Sequence, residues 1–365
     1  MKKSPACSLR WMKNSPSSRK RHSKRLKDRN KALRDSFDSP IMLIDCHNHL
    51  GADLLFYLHG DFPYSQQLVQ MQHEGGALGI THWVAFPFVS YAAMDVTKFR
   101  SGGIGFGQNG LETVPYAFEN RRLLDECQKL FPEEGKRILP FVMVDPMRNT
   151  DAQAKELIKL RGEYRFHGIK IQSTIIQSFI KCLADEGKVF LDLAREWDVP
   201  FIIHSSVAKD DPWAQAHDII DIAEANPDVR FCAAHSCRYD KECLDRIQAL
   251  PNAWFDNSAH CIHCVGAVDD LPYIAPRERR FDSDYTDPGR VTADLAAAYP
   301  DKFIWGSDSP FYSYAAEISG KVVKLISTYE AEMKALRAAG DEAVQRITCT
   351  NTLKYLKLAD ESILS

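Results

Sequence analysis

At 365 residues the chain has room for one large domain or two of average size, and its 45% hydrophobic and 26% charged content is that of an ordinary globular protein. No apolar stretch approaches the roughly 20 residues of a bilayer-spanning helix, and no apolar core of secretory-signal length follows the basic N-terminus, so neither membrane insertion nor export is expected. Ten cysteines without a regular framework, in a chain too large to need staples, indicate free thiols and a cytoplasmic setting.

The charge is unevenly spread. Residues 1–40 hold 13 Lys/Arg against 3 Asp/Glu, so a segment of +10 precedes a body of −13. Residues 1–41 are Ser-rich and lack apolar periodicity, which predicts a disordered basic tail outside the folded body. Arg19-Lys-Arg-His-Ser-Lys-Arg25 has the composition of a nucleic-acid patch. The acidic body argues against nucleic acid as a partner, and a solvated tail or an over-extended start before Met42 is the simpler reading.

From Met42 onward, apolar runs of strand length alternate with helix-period segments. The runs are Met42–Cys46, His82–Phe86, Arg137–Val144, Gly168–Gln172, Phe201–His204, Val229–His235, Ala253–Asn257 and Phe303–Gly306. Amphipathic stretches lie between them, including Tyr116–Phe131, Asp151–Arg161, Lys188–Trp197, Pro212–Asn226 and Lys241–Leu250. Continuous hydrophobic strands alternating with helices predict a parallel sheet covered by helices. Eight such units over residues 42–358 predict a single (β/α)8 TIM-type barrel of α/β class, with a doubly wound open sheet as the alternative. Ala315–Ala338 is expected to form one long helix, and Asp341–Leu358 a terminal one.

Three connections, Gly51–Pro63, Pro87–Pro115 and Ser258–Pro288, exceed ordinary loop lengths and all follow strands, where barrel loops build the substrate pocket. The second contains Gly105-Phe-Gly107-Gln-Asn-Gly110. This match to GxGxxG lacks the strand–turn–helix context of a dinucleotide site, and a lid is the better reading.

In Ile41-Met-Leu-Ile-Asp-Cys-His-Asn-His-Leu-Gly51, His47 and His49 stand two residues apart, so on a strand both imidazoles leave the same face. That suits two ligands of one metal ion. Further polar residues end other predicted strands: Lys170 and Gln172 on the fourth, His204 on the fifth, His235 on the sixth and Asp308 after the eighth. Each has an ordinary reading alone, since a histidine caps loops and Asp-Ser-Pro starts turns. Together at one barrel end they mark the place where such folds do chemistry.

With these residues in place, the chain from about Met42 to Leu358 resembles the amidohydrolase superfamily. Within it, the chain is similar to the amidohydrolase-2 branch related to aminocarboxymuconate-semialdehyde decarboxylase. The resemblance implies that His47, His49, His204 and Asp308 bind one divalent metal, zinc or alternatively manganese, that His235 is the acid/base residue, and that the chain forms a homodimer. It also implies a carbamylated, metal-bridging lysine only in dinuclear members. At Lys170 a second metal is not expected.

The donor chemistry is consistent with these roles. Three neutral imidazoles and a carboxylate suit Zn²⁺ and leave a position for water, whose pKa the ion lowers to about 7. Asp308 accepts the water's proton, His235 hydrogen-bonds the developing oxyanion or protonates the leaving group, and Ser307 and Ser309 flank Asp308. The expected activity is hydrolysis of a small polar ester, lactone or amide. The alternatives are non-oxidative decarboxylation of an unsaturated or aromatic acid and a non-catalytic, ligand-binding barrel. His260-Cys-Ile-His263-Cys264 resembles half a zinc knuckle without its second pair, so a structural zinc is not expected. Arg277, Arg279, Arg280, Lys98 and Arg100 are cations available to a substrate carboxylate, with exposed surface charge as their ordinary reading.

Overall fold

A computed structural model describes residues 42–53, 64–89, 95, 112–318 and 321–359. The tail expected over 1–41, the Gly105–Gly110 motif, Lys98 and Arg100 lie outside these residues. Strand β1 (Ile44–Ala52) pairs with the short antiparallel β2 (Ser65–Gln66) and with the parallel β3 (His82–Pro87). The sheet continues in parallel through β4 (Ile138–Met143), β5 (Gly168–Ile171), β6 (Phe201–Ile203), β7 (Phe231–Ala233), β8 (Ala253–Asp256) and β9 (Phe303–Ile304). The parallel strands fall within the eight expected runs, except that β1 and β3 extend further. The sheet curls, and the segment after β9 meets β1: the Cys46 amide donates to the Trp305 carbonyl at 2.9 Å, Asp308 to His47 at 2.9 Å and His49 to Ser309 at 2.8 Å.

Helices follow the strands as α1 (Leu68–Ala77), α2 (Ala117–Asp125), α3 (Thr150–Glu163), α4 (Lys188–Trp197), α5 (Ala216–Ala225), α6 (Lys241–Ala249), α7 (His260–Val268), α8 (Pro288–Ala298) and α9 (Tyr329–Arg337). Their starts have local causes. Asp287 caps the amides of Gly289 and Arg290 with Pro288 opening the helix, Asp240 caps Cys243, and Thr328 caps Ala331. α4 buries Phe190, Leu191 and Ala194, a stripe of helical period.

The strands sort their side chains with period two. Val84 and Phe86, Leu139 and Phe141, Ile202, Cys232, Trp254 and Ile304 share one core with Ile44 and Cys46. Trp83 and Ala85, Ile138 and Val142, Phe201 and Ile203, Phe231 and Ala233, and Phe255 and Phe303 belong to another, shared with helical residues such as Leu191 and Leu244. Burial on both faces is what the continuous hydrophobic runs require.

Two expectations are corrected. Ala315–Ala338 is not one helix: β10 (Tyr314–Ile318) and β11 (Lys321–Leu325) pair antiparallel, and only Tyr329–Arg337 is helical. Ala, Glu and Lys give the stretch helical propensity, but Val322 and Val323 favour a strand. The Ser258–Pro288 connection is likewise not irregular throughout, because His260–Val268 is a helix. At the C-terminus, Asp341–Gln345 and Asn351–Leu356 are α-helical around a π-helical turn at Arg346–Thr350.

Asp45 joins the two ends of the sheet. One carboxylate oxygen accepts from the amides of Ser307 (2.9 Å) and His47 (3.2 Å), the other from the Tyr329 hydroxyl (2.5 Å), which itself accepts from the Trp83 indole at 3.1 Å. Burial pushes the Asp45 carboxyl up to about 6 despite these bonds. Tyr329→Phe leaves an indole N–H and a carboxylate oxygen short of a buried partner and is expected to cost about 2–4 kcal/mol in urea unfolding. A change below about 0.5 kcal/mol contradicts that role for the hydroxyl.

Candidate active site

The pairing of β1 with β3 slips by one residue between Asp45 and Asn48, a β-bulge. Without it His47 would share the face of Asp45, away from Ile44 and Cys46. With it, His47 turns to the inner side of the curled sheet, where it meets Phe86 (ring centroids 4.8 Å apart), Lys170 and Asp256. The spacing of two then brings His49 alongside, against Phe86, Phe88 and Phe311 at 4.6, 5.4 and 5.1 Å.

Both imidazoles are fixed from behind. His47 Nδ1–H donates to Asp256 Oδ2 at 3.0 Å, and His49 Nδ1–H donates to the Pro87 carbonyl at 3.2 Å. This tautomer leaves each Nε2 with its lone pair forward. Those two nitrogens lie 3.3 and 3.4 Å from the same oxygen, Asp308 Oδ1. Asp308 holds that position with a left-handed backbone, φ 64°, a conformation Asp tolerates better than most residues. Its other oxygen lies 3.9 Å from His235 Nδ1. His47, His235 and Asp308 thus form one buried cluster with ligand atoms within 4.8 Å of one another. Among the described residues His49 and His204 are not part of that cluster, although His49 Nε2 reaches Asp308 Oδ1; the backed imidazole of His47 and the Asp308 carboxylate are donors of the kind a divalent ion takes.

His204 is placed differently from His49. Its Nδ1 is 3.0 Å from His235 Nε2, and its Nε2 accepts from Arg238 at 3.2 Å. His235 is held through Nδ1, 3.0 Å from the Ser258 carbonyl and 2.9 Å from the Ser258 hydroxyl. Lys170 is buried and donates to His47 Nε2 at 3.2 Å, with its ammonium 4.7 Å from the Phe86 ring centre. Burial lowers its pKa to about 8, against the pull of Asp256 and Asp308. The serines beside Asp308 brace the backbone: Ser307 Oγ donates to Asn48 Oδ1 at 3.3 Å and Ser309 Oγ to Gln66 Oε1 at 2.7 Å.

From sequence neither Asp256 nor Arg238 is marked, and His263 is marked only within the knuckle-like run His260–Cys264. Asp256 ends β8, and the strand-end logic that marked His204 and Asp308 was available for it. Burial pushes its carboxyl up, yet its interaction with His47 and the hydrogen bonds from His47 and Ser258 hold it well below the usual carboxylate range. Arg238 has no comparable signal, for it stands within a run of left-handed residues. His263 and His260 belong to α7. His260 Nε2–H donates to the Pro288 carbonyl at 2.8 Å and its Nδ1 lies 3.0 Å from the Tyr239 hydroxyl, whereas His263 accepts from Arg238. The loop arginines are engaged: Arg277 and Arg280 pair with Asp270, and Arg279 with Asp240.

Burial lowers the histidines of this region, His49 and His260 to about 4 and His204, His235 and His263 well below their usual value, the charge of Arg238 adding to burial for the last three. An unfolded chain binds these protons from about pH 6.5 downward. Stability is therefore complete above that pH and falls as the pH drops through the folded values, by up to about 1.4 kcal/mol per unit for each histidine. Asp45 and Glu332, raised by burial to about 6 and about 7, act in the opposite sense, but two carboxyls oppose five histidines. Urea unfolding at pH 7, 5.5 and 4.5 is expected to show a steady decline, and a flat profile contradicts neutral burial of these rings.

The amidohydrolase family model matches residues 44–358. The chain belongs to that family. A dihydroorotase of Campylobacter jejuni is similar at 14% identity over 87% of this chain and 83% of its own, with a TM-score of 0.51. A 5-carboxyvanillate decarboxylase of Novosphingobium aromaticivorans, complexed with manganese and a nitrobenzoic acid, is similar at 13% identity over 87% and 96%, with a TM-score of 0.53. An uncharacterised TIM-barrel protein of Bordetella bronchiseptica matches at 13% identity over 87% and 98%, with a TM-score of 0.52. At such identities these likenesses concern the fold. A search among curated proteins finds no match. Among the described residues no helix is long and apolar enough to cross a membrane, and all nine cysteines are free.

Proposed function

We propose that the chain is a metal-dependent hydrolase on a (β/α)8 barrel, acting on a small polar ester, lactone or amide. The observation that carries this reading is the convergence of His47 Nε2 and His49 Nε2 on Asp308 Oδ1, at 3.3 and 3.4 Å, with His235 alongside. His47, His49, His204 and Asp308 would hold one zinc or manganese ion. For His204 this requires giving up its bond to His235 or to Arg238. A divalent ion supplies Lewis acidity there, bringing water to a pKa of about 7 and polarising a carbonyl oxygen.

The protein's own groups divide the remaining work. Asp256 keeps His47 in the tautomer that presents Nε2, and the Pro87 carbonyl does the same for His49. Asp308 orients the attacking water and accepts its proton. His235, held at Nδ1 by Ser258, turns Nε2 to the oxyanion or leaving group in place of His204. Phe86, Phe88 and Phe311 exclude bulk water from one side of the cluster.

Decarboxylation of an unsaturated or aromatic acid would use the same cluster, and the fold is shared with both a dihydroorotase and a decarboxylase. Turnover of small esters, lactones, amides and aromatic acids in H₂¹⁸O separates the two. Incorporation of ¹⁸O into product is the expected result. Release of CO₂ without incorporation overturns hydrolysis.

A further inference from the structure

Arg238 is a buried cation whose charge no carboxylate meets. Its Nε–H donates to the Ser205 carbonyl at 3.0 Å, one terminal nitrogen donates to His204 Nε2 at 3.2 Å, and the other donates to His263 Nε2. All three acceptors are neutral, and at most three of its five N–H groups are used. Among the described residues no Asp or Glu oxygen comes within 4 Å, in contrast to Arg277, Arg279 and Arg280 on the same side of the chain. The guanidinium lies over the Tyr273 ring, 5.7 Å from its centre, and Asp308 and Asp211 attract it only from further away. Only 8% of the residue is exposed. A guanidinium so far from water is costly unless an anion joins it.

The backbone is distorted to keep it there. His235, Ser236, Cys237, Arg238 and Tyr239 are all left-handed, with φ of 61, 49, 47, 54 and 66°, and none is glycine. Each such residue holds a conformation that L side chains disfavour. The run is secured from outside: Ala275 N–H donates to the Arg238 carbonyl at 3.1 Å, Phe281 N–H to the Tyr239 carbonyl at 2.8 Å, and His235 N–H to Asp256 Oδ1 at 3.1 Å. One strained segment thus delivers both His235 and Arg238 to the same end of the sheet, and strain of this kind gathers at functional sites.

The local charge points the same way. Lys170 and Arg238 are the buried cations at this end of the sheet, and Arg238 is the one with no carboxylate within 4 Å of it among the described residues. We infer that Arg238, with His204 and His263 steering its fork, is an anion subsite that receives a carboxylate or comparably small oxyanion of the substrate. The inference rests on the proposed function for placing the substrate here, and it narrows the substrate class to acids that carry this group beside the reacting bond. Planar, bidentate recognition suits an arginine and not a lysine.

The test is thermal unfolding of the full-length, metal-loaded protein in acetate against ionic-strength-matched chloride containing acetamide, with metal content measured on the same samples. At about a hundred times the dissociation constant, acetate is expected to raise the wild-type Tm by roughly 5 °C, and acetamide to leave it unchanged. Arg238→Met is expected to abolish the acetate shift, and Arg238→Lys to reduce it. Equal responses to acetate and acetamide in the wild type, or an undiminished acetate shift in Arg238→Met, overturn the subsite. If Arg238→Met does not fold, an undiminished shift in Arg238→Lys does the same. A wild type without metal that still shows the Arg238-dependent shift would retire the hydrolase mechanism and leave the anion site standing.

Discussion

Asp308→Asn is expected to reduce turnover by about 10⁴-fold, the upper range for loss of a positioned acid–base group. The amide nearly preserves shape, so the loss isolates the charge. The two Nε2 atoms at 3.3 and 3.4 Å then face a neutral group, and no carboxylate remains at this position to take a proton from water. Asp308 N–H still donates to the His47 carbonyl at 2.9 Å, so the backbone join between the segment after β9 and β1 is retained. Activity should collapse with little change in urea midpoint. Retention of more than about a tenth of the wild-type kcat would place the proton acceptor elsewhere.

Gly306→Ala is expected to damage stability and activity together. A β-carbon at this position would lie 2.4 Å from His47 Cβ, 3.0 Å from its amide nitrogen and 3.2 Å from its Cα. No flexible side chain can give way, because the obstacle is the backbone of the residue that begins the His-Asn-His pair. Overpacking of this kind costs about 1–3 kcal/mol or more. The relief available is displacement of His47 from Asp256 and Asp308, and a shift of about 1 Å at a catalytic group costs on the order of 10²-fold in rate. Chemical denaturation and steady-state kinetics on the same variant check both parts. A variant with wild-type kcat would show that the join between β1 and the segment after β9 does not set the site.

The residues that could be read from sequence were those whose positions follow from simple periodicity. Continuous apolar strands are forced by burial on both faces, so their ends, and with them His47, His49, His204, His235 and Asp308, could be located without coordinates. The shared direction of His47 and His49 follows from a period of two. Which face they take does not, because it depends on a bulge that a sequence pattern does not announce. The expectation of one helix over Ala315–Ala338 fails in its first half because the helical propensity of Ala, Glu and Lys outweighs, in a sequence pattern, the strand preference of Ile318, Val322 and Val323. Arg238 was invisible for a different reason. Five successive left-handed residues without glycine run against local preference, and only the tertiary bonds from Ala275 and Phe281 make them tenable. Asp256 was legible in principle, being the polar end of a predicted strand, but lacked a neighbouring motif to draw attention to it.

His47, His49 and Asp308, with His204, are proposed to hold a single catalytic metal. Elemental analysis of the full-length protein, purified without chelator and again after reconstitution with zinc or manganese, addresses this most directly. About one ion per chain, lost in His47→Ala, is the predicted result. No ion bound even after reconstitution contradicts the claim, and two ions per chain would contradict its single-site form and turn attention to Lys170.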